Sequence, residues 1–241
     1  AQAGFLADTF ESYKQARTKS EYALSIKEYP EARAVWCQSI FYLSRKFAAG
    51  TPQDLSKARA ELENINLLGE KHVEVVKAHA GNLLSQKKPA EALAMLNEAI
   101  AFTENQGDLE LAFLRSEAFT AQAKYKEAAG DLNRVLEKKR DSARALHELG
   151  NLARLQKDID TAATKYGEAL KADPNHVISS VELAALEVHE KKEADKALAM
   201  IEVALEKDKR KALGPTELAR ALSIKGDALA AQGKLADAET A

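Results

Sequence analysis

Six alanines set a period along the chain. Ala58, Ala92, Ala128, Ala162, Ala197 and Ala238 are separated by 34, 36, 34, 35 and 41 residues. Four residues beyond each of the first five stands a large apolar residue: Leu62, Leu96, Leu132, Tyr166 and Ile201. Seven beyond stand Ile65, Ala99, Val135, Ala169 and Ala204. Offsets of four and seven place all three on one face of an α-helix. A period of this length means one supersecondary unit copied in tandem, each copy burying its apolar face by stacking on its neighbour.

The unit is clearest from Ser142 to Asn175. Leu146, Leu149, Gly150 and Ala153 fall at i, i+3, i+4 and i+7, which makes a first helix. The polar stretch Gln156-Lys157-Asp158-Ile159-Asp160 turns the chain. Ala162, Tyr166, Ala169 and Leu170 form the stripe of a second helix, and Pro174 prevents its continuation. The small residues mark where the two helices cross closely. Composition agrees: Ala supplies 46 residues and Leu 30, while Pro supplies 5 and Gly 11. Ala and Leu have the lowest helix cost, and an all-β or α/β chain of this size needs more Gly, Val, Ile and Thr. Pro52, Pro89 and Pro215 open helices, and Pro30 and Pro174 lie between repeats. The spacing predicts a helix over 6–28. It then predicts pairs at 31–49 with 52–68, 71–86 with 89–104, 109–122 with 125–138, 143–156 with 159–172, 177–190 with 194–208, and 215–232 with 235 onward.

These residues resemble the tetratricopeptide repeat. Leu146, Leu149, Gly150, Ala153, Ala162, Tyr166, Ala169 and Pro174 fill its eight signature positions. The other copies are more degenerate: Lys46, Ala80, Ser116 and Ala185 stand where glycine is commonest, and only Gly150 and Gly226 keep it. The resemblance extends over roughly 18–241 and implies an all-α, right-handed superhelical solenoid of stacked antiparallel helix pairs. The expectation is a single domain over 1–241 with about six to seven repeats. The last is cut short, which predicts a fragment of a longer protein or a disordered tail.

Several functions fall away on charge and spacing. A net charge of −2 gives no electrostatic footprint for nucleic acid. No apolar run is long enough to insert in a membrane. The single cysteine, Cys37, makes no internal disulfide. That favours a cytoplasmic, reducing compartment, whereas a processed start at Ala1 fits a periplasmic one. His72, His79, His147, His176 and His189 show no zinc-helix spacing, and the glycines are too scattered for a phosphate loop. Cys37 follows Trp36 on an apolar helix and reads as a small buried residue. The mixed-charge runs 137–141 and 206–211 read as solvated helix ends. The sequence therefore predicts no catalysis, no metal and no cofactor.

The resemblance implies that first helices line a concave groove that grips a protein or peptide partner. It places positions 2, 5, 6, 9, 12 and 13 of each unit inward. The partner-binding candidates are Lys77, Phe113, Leu114, Glu117, Arg144, His147, Asn151, Arg154, Leu183 and Leu186. Phe113, Leu114, Leu183 and Leu186 are apolar residues that the repeat core does not demand, and they stand with Arg144, His147, Asn151 and Arg154. The carboxylate clamp of chaperone-type repeats is not expected. Asn151 occupies one of its Asn positions, but His147 replaces the Lys and Leu183 the second Asn, with Gly81 and Leu114 at the Asn positions of earlier pairs. The functional expectation is a non-catalytic scaffold or adaptor. The alternative is a structural, self-associating segment of a larger envelope, motility or secretion machine.

Overall fold

The computed structural model describes residues 9–27, 29–65, 72–102, 107–208 and 213–240. Among these residues there are thirteen α-helices and no strand. They are α1 (Phe10–Ile26), α2 (Pro30–Phe47), α3 (Pro52–Ile65), α4 (Val73–Ser85), α5 (Pro89–Ala101), α6 (Leu109–Thr120), α7 (Tyr125–Lys138), α8 (Ala143–Leu155), α9 (Ile159–Ala172), α10 (Val177–His189), α11 (Ala194–Lys207), α12 (Pro215–Ala231) and α13 (Leu235–Thr240). The helices gather into two compact units, residues 1–137 and 138–241. Each unit is a stack of antiparallel pairs: α2 with α3, α4 with α5 and α6 with α7 in the first, then α8 with α9, α10 with α11 and α12 with α13 in the second. In the first unit α1 packs on α2, where the Tyr13 and Tyr42 rings stack 4.7 Å apart. The expected starts before Thr9 and the expected ends of α3 and α5 lie outside the described residues.

Local chemistry sets the helix starts. Thr9 and Ser12 cap α1 reciprocally, Asp108 accepts from the backbone N–H groups of Glu110 and Leu111, Ser142 accepts from Ala145, and Asp158 from Thr161. Each bond satisfies an N–H that the first turn leaves open. Pro52, Pro89 and Pro215 open α3, α5 and α12, where a missing N–H costs nothing. Pro30 does the same for α2 instead of lying between repeats. Pro174 lies between α9 and α10.

The turn inside five of the six pairs is left-handed at a residue other than glycine. Ala48, Lys87, Ala123, Lys157 and Lys192 adopt left-handed backbone with φ between 47° and 63°. Gly233 repeats the geometry at φ 77°. The next N–H reaches back to close the first helix, from Lys88 to Leu83 O, Lys124 to Phe119 O, Asp158 to Ala153 O and Lys234 to Leu229 O, at 2.9 to 3.0 Å. This is helix-stop geometry, in which side chains other than glycine cost about 1–2 kcal/mol of local strain. The packing of the pair imposes it.

The periodic face is the core. Ala58, Ala92, Ala128, Ala162 and Ala197 are fully buried, as are or nearly are the large residues four later and those seven later. In the first unit Cys37, Ile40 and Phe41 of α2 pack with Ala58, Leu62 and Ile65 of α3. The Cys37 thiol donates to Ala58 O at 3.4 Å, and burial pushes it up to about 12, so it stays a thiol. The position aligned at Lys46 moves, because α2 runs more than a turn longer than α4 and α6. Phe41 is fully buried, and Lys46 only half-buried. In the second unit Gly150 is forced: a Cβ there would lie 2.5 Å from Cε1 of Tyr166. Gly226 faces the backbone oxygen of Ala238, where a Cβ would stand at 3.4 Å.

Candidate functional site

Within each unit successive first helices lie side by side, and the candidate site is the face they present there. Counting Gly150 as the eighth residue of its unit, positions 2 and 5 are Glu74 and Lys77, Glu110 and Phe113, Arg144 and His147, and Ser179 and Glu182. All eight are buried. Within each unit such residues fill the seams between neighbouring first helices, as Lys77 with Asp108 and His147 with Ser179 do, and the open surface begins further along each helix.

In the first unit the seams are closed by charge. Lys77 sits 2.6 Å from Glu74 and 2.9 Å from Asp108. Burial pulls its ammonium down, but the two carboxylates outweigh that and leave it above the ordinary lysine value. Gln38 donates to the Glu74 carboxylate and backbone oxygen at 3.0 and 2.9 Å. Two side chains of α2 reach past α4 to α6. Tyr42 hydrogen-bonds Glu110, and Arg45 donates twice to Glu117, at 2.6 and 3.0 Å. The Arg45 guanidinium also lies 4.1 Å over the Tyr42 ring. Burial opposes its charge, and Glu117 more than restores it. The bridge crosses α4 at Gly81, where a Cβ would be 3.5 Å from Arg45 Nη1.

In the second unit the seams are closed differently. His147 Nδ1 and His176 Nδ1 share the Ser179 hydroxyl, at 3.0 and 2.7 Å. Tyr166 donates to Asn151 at 2.8 Å, and burial raises its phenol above the ordinary range. Beyond these lies a three-helix contact. Glu182 of α10 accepts from both terminal nitrogens of Arg220 on α12, and Arg154 of α8 brings Nε to 3.8 Å from the same carboxylate. His189 meets Asp227 at 2.9 Å on the exposed surface.

The ten candidates from sequence divide accordingly. Lys77, Phe113, Leu114, Arg144, His147 and Leu186 are buried. Leu114 is part of the first unit's core, and Leu186 packs with Ala153, Ala162 and Tyr166. Their side chains lie inside the seams instead of on an open wall. Glu117, Asn151, Arg154 and Leu183 are half-buried and reach the surface, with exposed Leu155 next to Arg154. Arg154 is brought together with Glu182, and Asn151 with Tyr166 and Glu148. Sequence reasoning missed Tyr42, Arg45 and Arg220. Arg220 was within reach: Gly226 as the eighth residue makes it the second of its unit. Arg45 was not, because the longer α2 shifts the count. Among the described residues no group of three or more His, Cys, Asp or Glu side chains is arranged to hold a metal, and no helix is long and apolar enough to cross a membrane.

Stacked pairs with polar seams define a helix-pair repeat protein that presents surfaces. Residues 143–176 match the tetratricopeptide repeat. No curated protein sequence matches the chain. Several solved structures share its fold. A crystal structure of MamA superposes with a TM-score of 0.52 at 18% identity, over 72% of this chain and 96% of that one. IFIT1, as a monomeric mutant with Gppp-AAAA, gives 0.67 at 16% identity, over 95% of this chain and 66% of that one. PilF of Pseudomonas aeruginosa gives 0.62 at 14%, over 88% and 89%. Residues 143–176 therefore carry a tetratricopeptide repeat, and the solved structures share the all-α fold of stacked helix pairs.

Proposed function

We propose that this chain is a non-catalytic adaptor that holds an extended segment of a partner protein on the faces of α8, α10 and α12. One observation carries the reading: the two units differ in how far their own side chains cover the first-helix face. In the first unit Tyr42 and Arg45 bridge that face. In the second, Asn151, Arg154 and Leu183 remain half-exposed beside exposed Leu155 and His189. A mix of apolar and hydrogen-bonding groups on rigid helices suits a peptide segment. The IFIT1 structures were solved with Gppp-AAAA and PPP-AAAA, so an RNA strand is the natural competitor. Lys77, Arg45, Arg154 and Arg220 are each set against a carboxylate here, which favours a protein segment over a phosphate backbone.

The test is affinity capture with three versions of the chain. Proteins retained by the wild type and by Lys165→Glu on α9, but lost with Leu155→Glu, support the adaptor. Loss with Lys165→Glu alone moves the working surface to the second helices. A second reading, self-association, is favoured by Tyr22 and Ile26 of α1, which are 70% and 68% exposed, with Tyr29 beyond. A mass in sedimentation equilibrium that rises with concentration and falls back with Tyr22→Glu supports it.

A further inference from the structure

Arg154, Glu182 and Arg220 stand at the twelfth, fifth and second positions of three successive first helices, and their charged ends converge. The Glu182 carboxylate is only 7% exposed, and both its oxygens accept from Arg220. Arg154 Nε, at 3.8 Å, is near enough for attraction and too far for a hydrogen bond. That Nε is buried and has no acceptor. The Arg154 and Arg220 side chains are nevertheless 39% and 47% exposed. The Glu182 carboxylate is therefore covered, and the side chains that reach solvent around it are the two arginines.

We infer that Arg154 and Arg220 form a receptor for a single carboxylate side chain, Asp or Glu, in the partner segment. The inference rests on the adaptor reading above and names the chemistry of its ligand. Both arginines share the Glu182 carboxylate, Glu217 adds its charge near Arg220, and a ligand carboxylate supplies the hydrogen bond that Glu182 does not give to Arg154. Guanidinium groups bind carboxylates through paired, charge-assisted hydrogen bonds, and Glu182 holds Arg220 in place before the ligand arrives. Other charged groups on this face are already engaged: Glu148 accepts from Asn151 at 3.0 Å, and His189 pairs with Asp227. Leu155, 46% exposed next to Arg154, offers an apolar contact. The segment that fits carries an acidic residue with an apolar neighbour. A nucleic-acid strand needs a continuing track of cations, and Arg154 and Arg220 are a single pair.

The experiment selects a random-peptide phage library on the immobilised whole chain and measures recovered peptides by fluorescence anisotropy. Recovered sequences are expected to share Asp or Glu near an apolar residue. Changing that acid to its amide weakens binding about tenfold, and so does Arg154→Gln, with little further loss when both are changed. Arg154→Lys restores part of the affinity. Arg154→Gln leaves the Glu182–Arg220 pair intact, and an unchanged circular-dichroism melt checks the fold. Acid-free peptides, or acidic peptides indifferent to Arg154→Gln, overturn the carboxylate receptor. If those peptides still fail on Leu155→Glu, the adaptor reading survives. Peptides indifferent to both changes, or no recovered peptide, overturn both. Tighter binding of an A-rich RNA oligonucleotide that weakens with Arg154→Gln also overturns the receptor and assigns the face to nucleic acid.

Discussion

The two units use one scaffold and treat its first-helix face in opposite ways. In the first, Tyr42 and Arg45 reach from α2 to Glu110 and Glu117 of α6. That face is structural: Glu74, Lys77, Glu110 and the Arg45 side chain are buried, Glu117 partly so, and they hold three helices together. In the second, Glu182 ties α8 to α12 through arginines that stay half in solvent. Similar residue types therefore do different work. A charge buried against one partner is needed for stability, whereas a charge at the rim adds little to it and remains available to a ligand.

The largest expected difference breaks that contrast directly. Glu117→Gln leaves the Arg45 guanidinium buried without its countercharge and costs about 3 kcal/mol. Arg154→Gln costs less than about 1 kcal/mol. Urea unfolding followed by circular dichroism measures both. Trp36, the chain's one tryptophan, lies in the first unit, so its fluorescence assigns the Glu117→Gln loss there. Equal losses would show that the two faces are equally structural.

Steric tolerance separates the units next. Gly150→Ala drives a methyl into the Tyr166 ring and costs about 1–3 kcal/mol. Gly81→Ala meets only ordinary contacts and is neutral, or stabilises by up to about 1 kcal/mol through helix propensity. Ala162→Leu should behave like Gly150→Ala, since Ala162 is fully buried, while half-buried Ala163 tolerates Leu better. Thermal melts of the four variants decide this. A Gly81→Ala loss as large as that of Gly150→Ala would mean that the first unit's helices have no more room than the second's.

The smallest effect is in alkali. Burial raises the Tyr166 phenol, so the folded second unit keeps a proton that the unfolded chain releases near pH about 10. Burial lowers Lys77, but Glu74 and Asp108 raise it further, so the folded first unit also holds its proton longer. In both cases the native state binds more protons. The stabilisation is complete below the unfolded values and fades as pH rises through the folded ones. Tyr166→Phe should flatten the alkaline loss in the second unit and Lys77→Met in the first, read as urea midpoints against pH. An unchanged slope in Tyr166→Phe would show that the phenol titrates freely in the folded chain.

The helix pairs were legible because their signal is local and repeated. Offsets of four and seven from Ala58, Ala92, Ala128, Ala162 and Ala197 name residues that are buried in every copy. The close approach at Gly150 was legible too, as a glycine before a large aromatic in the second helix. The left-handed turns at Lys87, Ala123, Lys157 and Lys192 were not. Their residue types carry no turn signal, and the cost of the conformation is met by the packing of the two helices it joins. For the candidate site, the family resemblance placed Arg154 and Asn151 on the inner face, but it also placed Lys77, Arg144 and His147 there as though they were open.

The sequence by itself determined the repeat, the pairing of helices and the identity of the core face, because helical periodicity is a property of neighbours along the chain. Tertiary structure alone decided which polar residues of that face are buried and which are shown. That outcome depends on side chains 32 to 72 residues apart, such as His147 with Ser179 and Arg45 with Glu117, meeting across adjacent or alternate helices. It depends as well on which side chains the helices carry: Tyr42 and Arg45 of α2 close the first unit's face, while in the second Arg154 and Arg220 stay at the surface. Spacing fixes where a residue points along a helix. Only the distance to the next helix fixes whether water, another side chain or a partner meets it there.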